Sequence, residues 1–317
     1  MPKILSDTHF FSRLSQQKEK TIIQAVLLLN KWLDELLLNG ISSLQNDSEK
    51  ILEISTRMVD LGLPGIARKL RLIPEKIKES TDWTEYVFMQ LGEFYLFSRL
   101  FDNLERLDEL EKEDLLSYAG IVYKKTDFID ENMLQDEWLY LGCQKEKEEK
   151  LIVKRNWFYG IHSNRTILFL EFQFNKFVKL KPLICGNTYR SAVRYFPSKV
   201  LQRVKDVSID QIVKSDFSKI KKVNLVELLD DYCKAVRLNP FIKHQCYLVH
   251  EVKIARQYDR WFFTSHDNQM VELRNEKKDI PKILSYSSEK ESVYVCEYSN
   301  NSLRIISILF GNLVVEV

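Results

Sequence analysis

Asp136-Glu137-Trp138-Leu139-Tyr140-Leu141-Gly142-Cys143-Gln144 is followed, after the charged segment 145–150, by Leu151-Ile152-Val153-Lys154-Arg155-Asn156-Trp157-Phe158-Tyr159-Gly160. Both runs are rich in aromatic and β-branched residues, and a short charged segment separates them, as in two paired strands. Thr166–Phe174 has the same character and reads as a third strand. Three consecutive strands joined by short turns predict an antiparallel meander. Everything upstream follows a different period, so the fold turns on the change near residue 133.

Residues 1–132 read as helices. Ile22, Val26, Leu29, Leu33, Leu36 and Leu37 recur at steps of three to four, and Asn39-Gly40 supplies residues that tolerate a left-handed helix end. Leu27, Leu28 and Trp32 widen the apolar face and predict packing on several sides. A second helix is expected from Asp47-Ser48, burying Ile51, Ile54 and Met58 and stopping at Gly62. Pro64 suits the first turn of a third, with Pro74 as its boundary. Asp82 and Glu85 have capping-box spacing for a helix carrying Trp83, Tyr86, Phe94, Phe97 and Phe101. The run Asp102–Leu110 reads as a solvated amphipathic helix, and Glu109, Glu111, Glu113 and Asp114 as its solvated acids.

Beyond the meander, residues 208–237 return to a helical pattern. Cys246–Val252, Arg260–Ser265 and Gln269–Leu273 read as strands, with a turn at His266-Asp267-Asn268. Val293–Glu297 and Arg304–Ile308 form a last hairpin across Ser299-Asn300-Asn301. Segregated helices and strands give an α+β class. The expected division is a helical domain at 1–132 and a mostly antiparallel β-rich domain at 133–317 with an inserted helical segment.

The chain has 317 residues, of which 45% are hydrophobic, enough to bury a large core. Nine Gly and seven Pro argue against low complexity. The net charge of +2 hides a split: residues 1–132 hold 17 Lys+Arg and 23 Asp+Glu, whereas 133–317 hold 30 and 22. The five cysteines are scattered and odd in number, which points to reduced thiols in a cytoplasmic protein. No signal peptide is expected in the first residues. Lys31, Asp34 and Glu35 interrupt Thr21–Leu38, the most apolar stretch, so no membrane span is expected.

The sharpest local feature is a basic run. From Phe172 to Lys205 there is no acid, yet there are Lys176, Lys179, Lys181, Arg190, Arg194, Lys199, Arg203 and Lys205, with Phe177, Tyr189, Tyr195 and Phe196 among them. Cations interleaved with aromatics follow a phosphate backbone and stack bases. Equally, they dock an acidic protein surface or are simply solvated. Coulomb attraction serves both binding modes and does not choose between them. His244, Cys246 and His250, with Cys233 upstream, are soft metal ligands without the tight Cys pair of a zinc finger, and strand packing accounts for them. Ser265, His266 and Asp267 are adjacent on a turn and cannot converge as a triad. Gly62-Leu63-Pro64-Gly65 reads as a packing corner between helices, followed by a helix too short for DNA reading. No phosphate loop, cofactor motif or catalytic constellation emerges, and the expectation is a protein that is not an enzyme.

Several segments together resemble bacterial SWIM zinc-finger family proteins, in the region that follows the finger. They are Trp32-Leu33-Asp34-Glu35-Leu36, Asn39-Gly40-Ile41, Arg57-Met58-Val59-Asp60, Leu63–Leu70, Asp136–Gly142, Asn156–Gly160, Tyr195-Phe196-Pro197-Ser198, Trp261-Phe262 and Glu297-Tyr298-Ser299-Asn300. The finger's C-x-C pair and later C-x-H are absent from this sequence, so zinc binding does not carry over. The resemblance implies a setting instead: partners among MoxR-type AAA+ ATPases and von Willebrand factor A-domain proteins. In that setting the chain is expected to be a finger-less adaptor or assembly subunit, the alternative being a nucleic-acid-binding module using 172–205.

Overall fold

Helix ends set the architecture of the N-terminal part. In the computed structural model, which describes residues 9–79, 82–123, 133–148, 151–174, 182–214, 216–218, 220–287 and 292–317, helix α1 (Gln16–Asn39) starts at Ser15. The Ser15 side chain accepts the Lys18 N–H, and Gly40, at φ 77°, donates its N–H to the Leu36 carbonyl at the other end. Then come α2 (Ser48–Asp60), α3 (Pro64–Glu79), α4 (Trp83–Phe101) and α5 (Glu109–Tyr118). α1 packs on α2 and α4, and α3 on the same two, so the four long helices close a ring while α5 leans on α3. α1 is buried along one side through Ile22, Val26, Leu29, Leu33 and Leu36. Its other side is open rather than packed, with Leu37 and Leu38 at 78% and 88% exposure.

The joint between α2 and α3 is a Schellman turn. Gly62, at φ 85°, donates to the Val59 carbonyl and Leu63 to that of Met58. α5 ends the same way, with Gly120 donating to Ser117 and Ile121 to Leu116. The two turns then meet. The Gly65 N–H, left open by the start of α3, donates to the Ala119 carbonyl at 2.8 Å. A Cβ on Gly65 would lie 2.6 Å from the Tyr118 carbonyl oxygen, and one on Gly120 would strike the Gly65 backbone. Both glycines are therefore required by close backbone approach.

Three expectations change here. Pro74 lies inside α3 rather than at its end. Losing one N–H does not stop a helix whose Ile66, Leu70, Ile73 and Pro74 are all buried. Asp82 sits at the N-cap of α4 but its side chain makes no cap hydrogen bond. Residues 102–108 are a joint with one 3-10 turn at Leu104–Arg106, not one helix continuing to 110, because α4 stops at Phe101 and Asp108 opens α5 with a true capping box to Glu111.

The β-rich part forms two sheets. The first contains β1 (Met133–Glu148), β2 (Leu151–Gly160), β3 (Thr166–Phe174), β4 (Thr188–Arg194), β5 (Arg203–Val204) and β6 (Ile212–Val213) in the order β5-β3-β2-β1-β4-β6. β1, β2 and β3 are the expected antiparallel meander. A bridge between Tyr195 and Val204 links the end of β4 to β5, so this sheet closes on itself. One face encloses Trp138, Tyr140, Phe158, Ile167, Tyr189, Val193 and Tyr195. A bulge after Tyr140 places Gly142 at φ 121°, where a Cβ would lie 2.7 Å from Ile306.

The second sheet orders β7 (Gln245–Val249), β8 (Lys253–Gln257), β9 (Arg260–Thr264), β10 (Met270–Leu273), β11 (Val293–Ser299) and β12 (Ser302–Phe310) as β7-β11-β12-β10-β9-β8, with β13 (Leu313–Glu316) also on β12. Asn300 and Asn301, both at positive φ, make the predicted β11–β12 turn. Leu139, Leu141 and Trp157 of the first sheet pack against Leu248, Val295 and Ile306 of the second. The second sheet's other face is covered by α6 (Leu225–Leu238) and by Ile280 and Ile283 of α7 (Ile280–Ser287). The expected helix over 208–237 is thus only α6. Ile212-Val213 instead add to the edge of β4, and strand β8 is additional to the sequence reading. The class is α+β, with helices first and strands after. By compactness the chain divides into Met1–Asp127 with Pro197–Lys199, and Phe128–Phe196 with Val200–Val317.

Candidate functional site

Among the described residues the basic run falls into separate settings. Lys176, Lys179 and Lys181 lie outside the described residues, as does Phe177. Arg190, on β4, donates to Glu137 of β1 at 2.7 Å. Lys199 belongs to the helical unit, where its ammonium pairs with Asp108 and its N–H donates to Asp114 at 3.1 Å. Tyr189 and Tyr195 are buried inside the first sheet and present no ring for stacking. Arg194 and Lys205 face each other across the β4–β5 ribbon, with Arg203 beside Phe196 one step on. The Arg203 guanidinium covers the Phe196 ring at 4.4 Å. Its buried Nε has no hydrogen-bond partner, and burial lowers its affinity for the proton.

Of the acids of α5 expected to be solvated, Glu109 is exposed, whereas Glu113 and Asp114 are part of a hub. Asp108 Oδ1 caps the Glu111 N–H while Oδ2 takes Lys199. Both Glu113 oxygens accept the Arg13 Nε, at 2.8 and 2.9 Å, and Arg13 also donates to the Ile121 carbonyl and stacks on Tyr123. Asp114 is buried. Burial pushes its carboxyl up to about 6, against the opposing hydrogen bonds from Ser198 and Lys199. No local spacing signals this arrangement, because Lys199 is 85 residues from Asp114.

A second cluster lies between the two sheets. Glu297 on β11 is 3% exposed and accepts hydrogen bonds from Arg155 Nε and Nη2 at 3.0 and 2.9 Å and from Trp157 Nε1 at 2.8 Å. His244 Nδ1 lies 3.3 Å from it, close enough for charge pairing but without hydrogen-bond alignment. Burial alone would raise this carboxyl, yet His244 and Arg155 outweigh it and hold it at about 2. Arg155 also reaches Glu146. Both Glu297 oxygens accept hydrogen bonds from the first sheet, so the cluster reads as a tie between sheets.

Two of the family-like segments, Asp136–Gly142 and Asn156–Gly160, are structural joints of the same kind. Buried Asp136 accepts the N–H groups of Glu137, His162 and Ser163, at 2.6, 3.0 and 2.9 Å, and so fixes the β2–β3 turn. A Cβ on Gly160 would strike Ser163 and Asp136. Asn156 receives Tyr140 and donates to Glu171. Cys246 points into the inter-sheet core, where burial pushes its thiol up, and Cys233 is exposed on α6. His250 falls past the end of β7, beside Glu251. Among the described residues no group of three His, Cys, Asp or Glu is placed to hold a metal ion. Ser265 closes the β9–β10 turn by accepting the Gln269 N–H, with Asn268 at φ 58°. Among the described residues no helix is long and apolar enough to cross a membrane.

The bundle also carries an open cleft that no local motif signals. It runs between α1 and α2, floored by Leu28, Trp32 and Ile54. Its rims are Lys31 with Glu35 and Arg57 with Glu53, paired along their own helices, and Lys50, which pairs with Asp47 beside the cleft.

No curated protein and no solved structure matches the chain at a significant level. One family model does, over residues 17–119, and its description is the SWIM-associated four-helix bundle domain. That span covers α1 to α5 and the ring that the four long helices close, so the helical part of this chain is similar to the SWIM-associated four-helix bundle domain, consistent with the region C-terminal to the finger in SWIM zinc-finger proteins.

Proposed function

We propose that the chain is a non-enzymatic adaptor or assembly subunit that binds protein partners in the cytoplasm, in a bacterial system of a MoxR-type AAA+ ATPase and a von Willebrand factor A-domain protein. The observation that carries this reading is the cleft around Trp32. An apolar floor between rims of internally paired charges suits an apolar anchor from a protein and offers little to a phosphate. The use of Arg190, Lys199, Glu297 and Asp114 in internal pairs supports it, since those charges already serve the fold. The test is co-purification with a tagged AAA+ or A-domain protein encoded beside it. Retention by the wild type and loss in Trp32→Ala supports the reading, and a chain that stays solitary at physiological salt sinks it.

A second reading is a nucleic-acid-binding module built on 172–205. Its support is the acid-free stretch and the Arg203–Phe196 stack, a cation and an aromatic presented together. Affinity for single- or double-stranded probes should then fall steeply with salt and vanish when Lys179, Lys181, Arg190 and Arg194 are reversed to Glu. Absence of any shift at low salt removes it.

A further inference from the structure

The outer face of α4 carries an apolar stripe. Phe88, Met89, Tyr95 and Leu96 are 61%, 52%, 55% and 37% exposed. Gly92 stands at its centre, and a Cβ there would meet nothing within 4 Å. A mid-helix glycine costs about 1 kcal/mol against alanine, and packing within the chain gives no reason for it. At 100° per residue these five positions, with Glu85 and Arg99, fall within about 120° of one side of the helix.

The spacing has a centre. Glu85 and Arg99 lie seven residues before and after Gly92, about two turns each way. Two copies of α4 laid antiparallel across Gly92 place Phe88 of one against Tyr95 of the other, Met89 against Leu96, and Glu85 against Arg99, each pair occurring twice. That is the self-complementary pattern of a two-fold interface. Glycine at the crossing lets the backbones approach, and the charges at the two ends match only in the antiparallel sense. Arg99 also contacts Asp102 of its own helix at 3.3 Å, an exposed pair that it can leave at little cost.

We propose that α4 is a homodimerisation face, its occupant a second copy of this chain packed antiparallel about Gly92. The proposal does not depend on the adaptor reading. Four large side chains per copy cover less than a standard interface, so a weak dimer is expected, with a dissociation constant on the order of micromolar.

Sedimentation velocity of the full chain from about 1 to about 100 µM tests it. The wild type should shift from monomer to dimer over that range. E85R and R99E should each weaken association at least about tenfold through like-charge contact. An equimolar mixture of these two variants should dimerise again, because each supplies the charge that the other lacks. The E85R/R99E double variant should do the same by itself, which also rules out misfolding of the single variants. A wild type that remains monomeric at the highest concentration, single reversals that leave the dimer unchanged, or a mixture that stays monomeric would each overturn the proposal.

Discussion

The two parts of this molecule fix the ends and edges of their elements in different ways. In the helical part the element ends are settled within a turn: Ser15 caps Lys18, Asp108 and Glu111 cap each other, and Gly62 and Gly120 end their helices, while buried Ser55, Ser98 and Asp114 find partners further along the chain. In the β-rich part the ties span the chain. Glu297 reaches Arg155 and Trp157, 142 and 140 residues away, and Ser307 donates to the Leu141 carbonyl exposed by the Gly142 bulge. The difference teaches how to read a charged residue. Near a helix end its role is legible from its neighbours, whereas within stacked sheets a Glu, Arg and His together mimic a catalytic cluster while holding two sheets in register.

Breaking one tie in each part sharpens the contrast. Arg155→Ala should have the largest effect, about 3–5 kcal/mol, because it leaves Glu297 buried without its main partner. Urea unfolding followed by tryptophan fluorescence measures it. A loss under 1 kcal/mol would mean that the cluster is not a structural tie. Gly120→Ala should cost about 2–3 kcal/mol in the helical part, from strain at φ 83° plus contact with Gly65. Hydrogen exchange should show the weakening in 9–123 and not in the sheets.

Acid should separate the two parts, with a smaller effect. Asp114 has a folded-state pKa of about 6, above its ordinary 3.8, so the folded state binds the extra proton. Stability of the helical part should therefore rise as pH falls from above 6 towards 4. Glu297 is the reverse, held at about 2 against an ordinary 4.5. Its contribution is present above 4.5 and is lost as pH falls towards 2. Peptide-resolved hydrogen exchange from pH 7 to 3 should show the bundle tightening before the sheets loosen. Asp114→Asn should abolish the first response, and its persistence would contradict the assignment. Smallest of all, Gly92→Ala should add up to about 1 kcal/mol to the bundle at dilutions where the chain is monomeric.

Much of the fold was legible. The period-two runs at 136–160, the turn at Asn300-Asn301 and the Gly62–Gly65 corner all carry local signals that the structure uses as expected. What was not legible depends on distant neighbours. Pro74 looked like a helix stop because its missing N–H is a local fact, but its burial against the rest of the bundle is not. Ile209, Ile212 and Val213 have helical spacing, yet β4 offers an edge that Ile212 and Val213 complete. Asp114 looked solvated because the tripeptide that covers it, Pro197–Lys199, arrives from far along the chain. The candidate basic residues suffered most, since pairing with Glu137 or Asp108 cannot be read from spacing.

Arg155, Glu297, Arg190, Lys199 and Asp114 pair within the fold, and the proposed working surface is the apolar cleft at Trp32. One pull-down tests it, with the tagged wild type, Trp32→Ala, and the paired reversal Arg190→Glu with Arg194→Glu. The account predicts that the AAA+ or A-domain protein is retained by the wild type and by the reversal, provided that the latter still folds, and is lost with Trp32→Ala. Retention of nucleic acid by the wild type, lost at high salt and in the reversal but kept in Trp32→Ala, would contradict it.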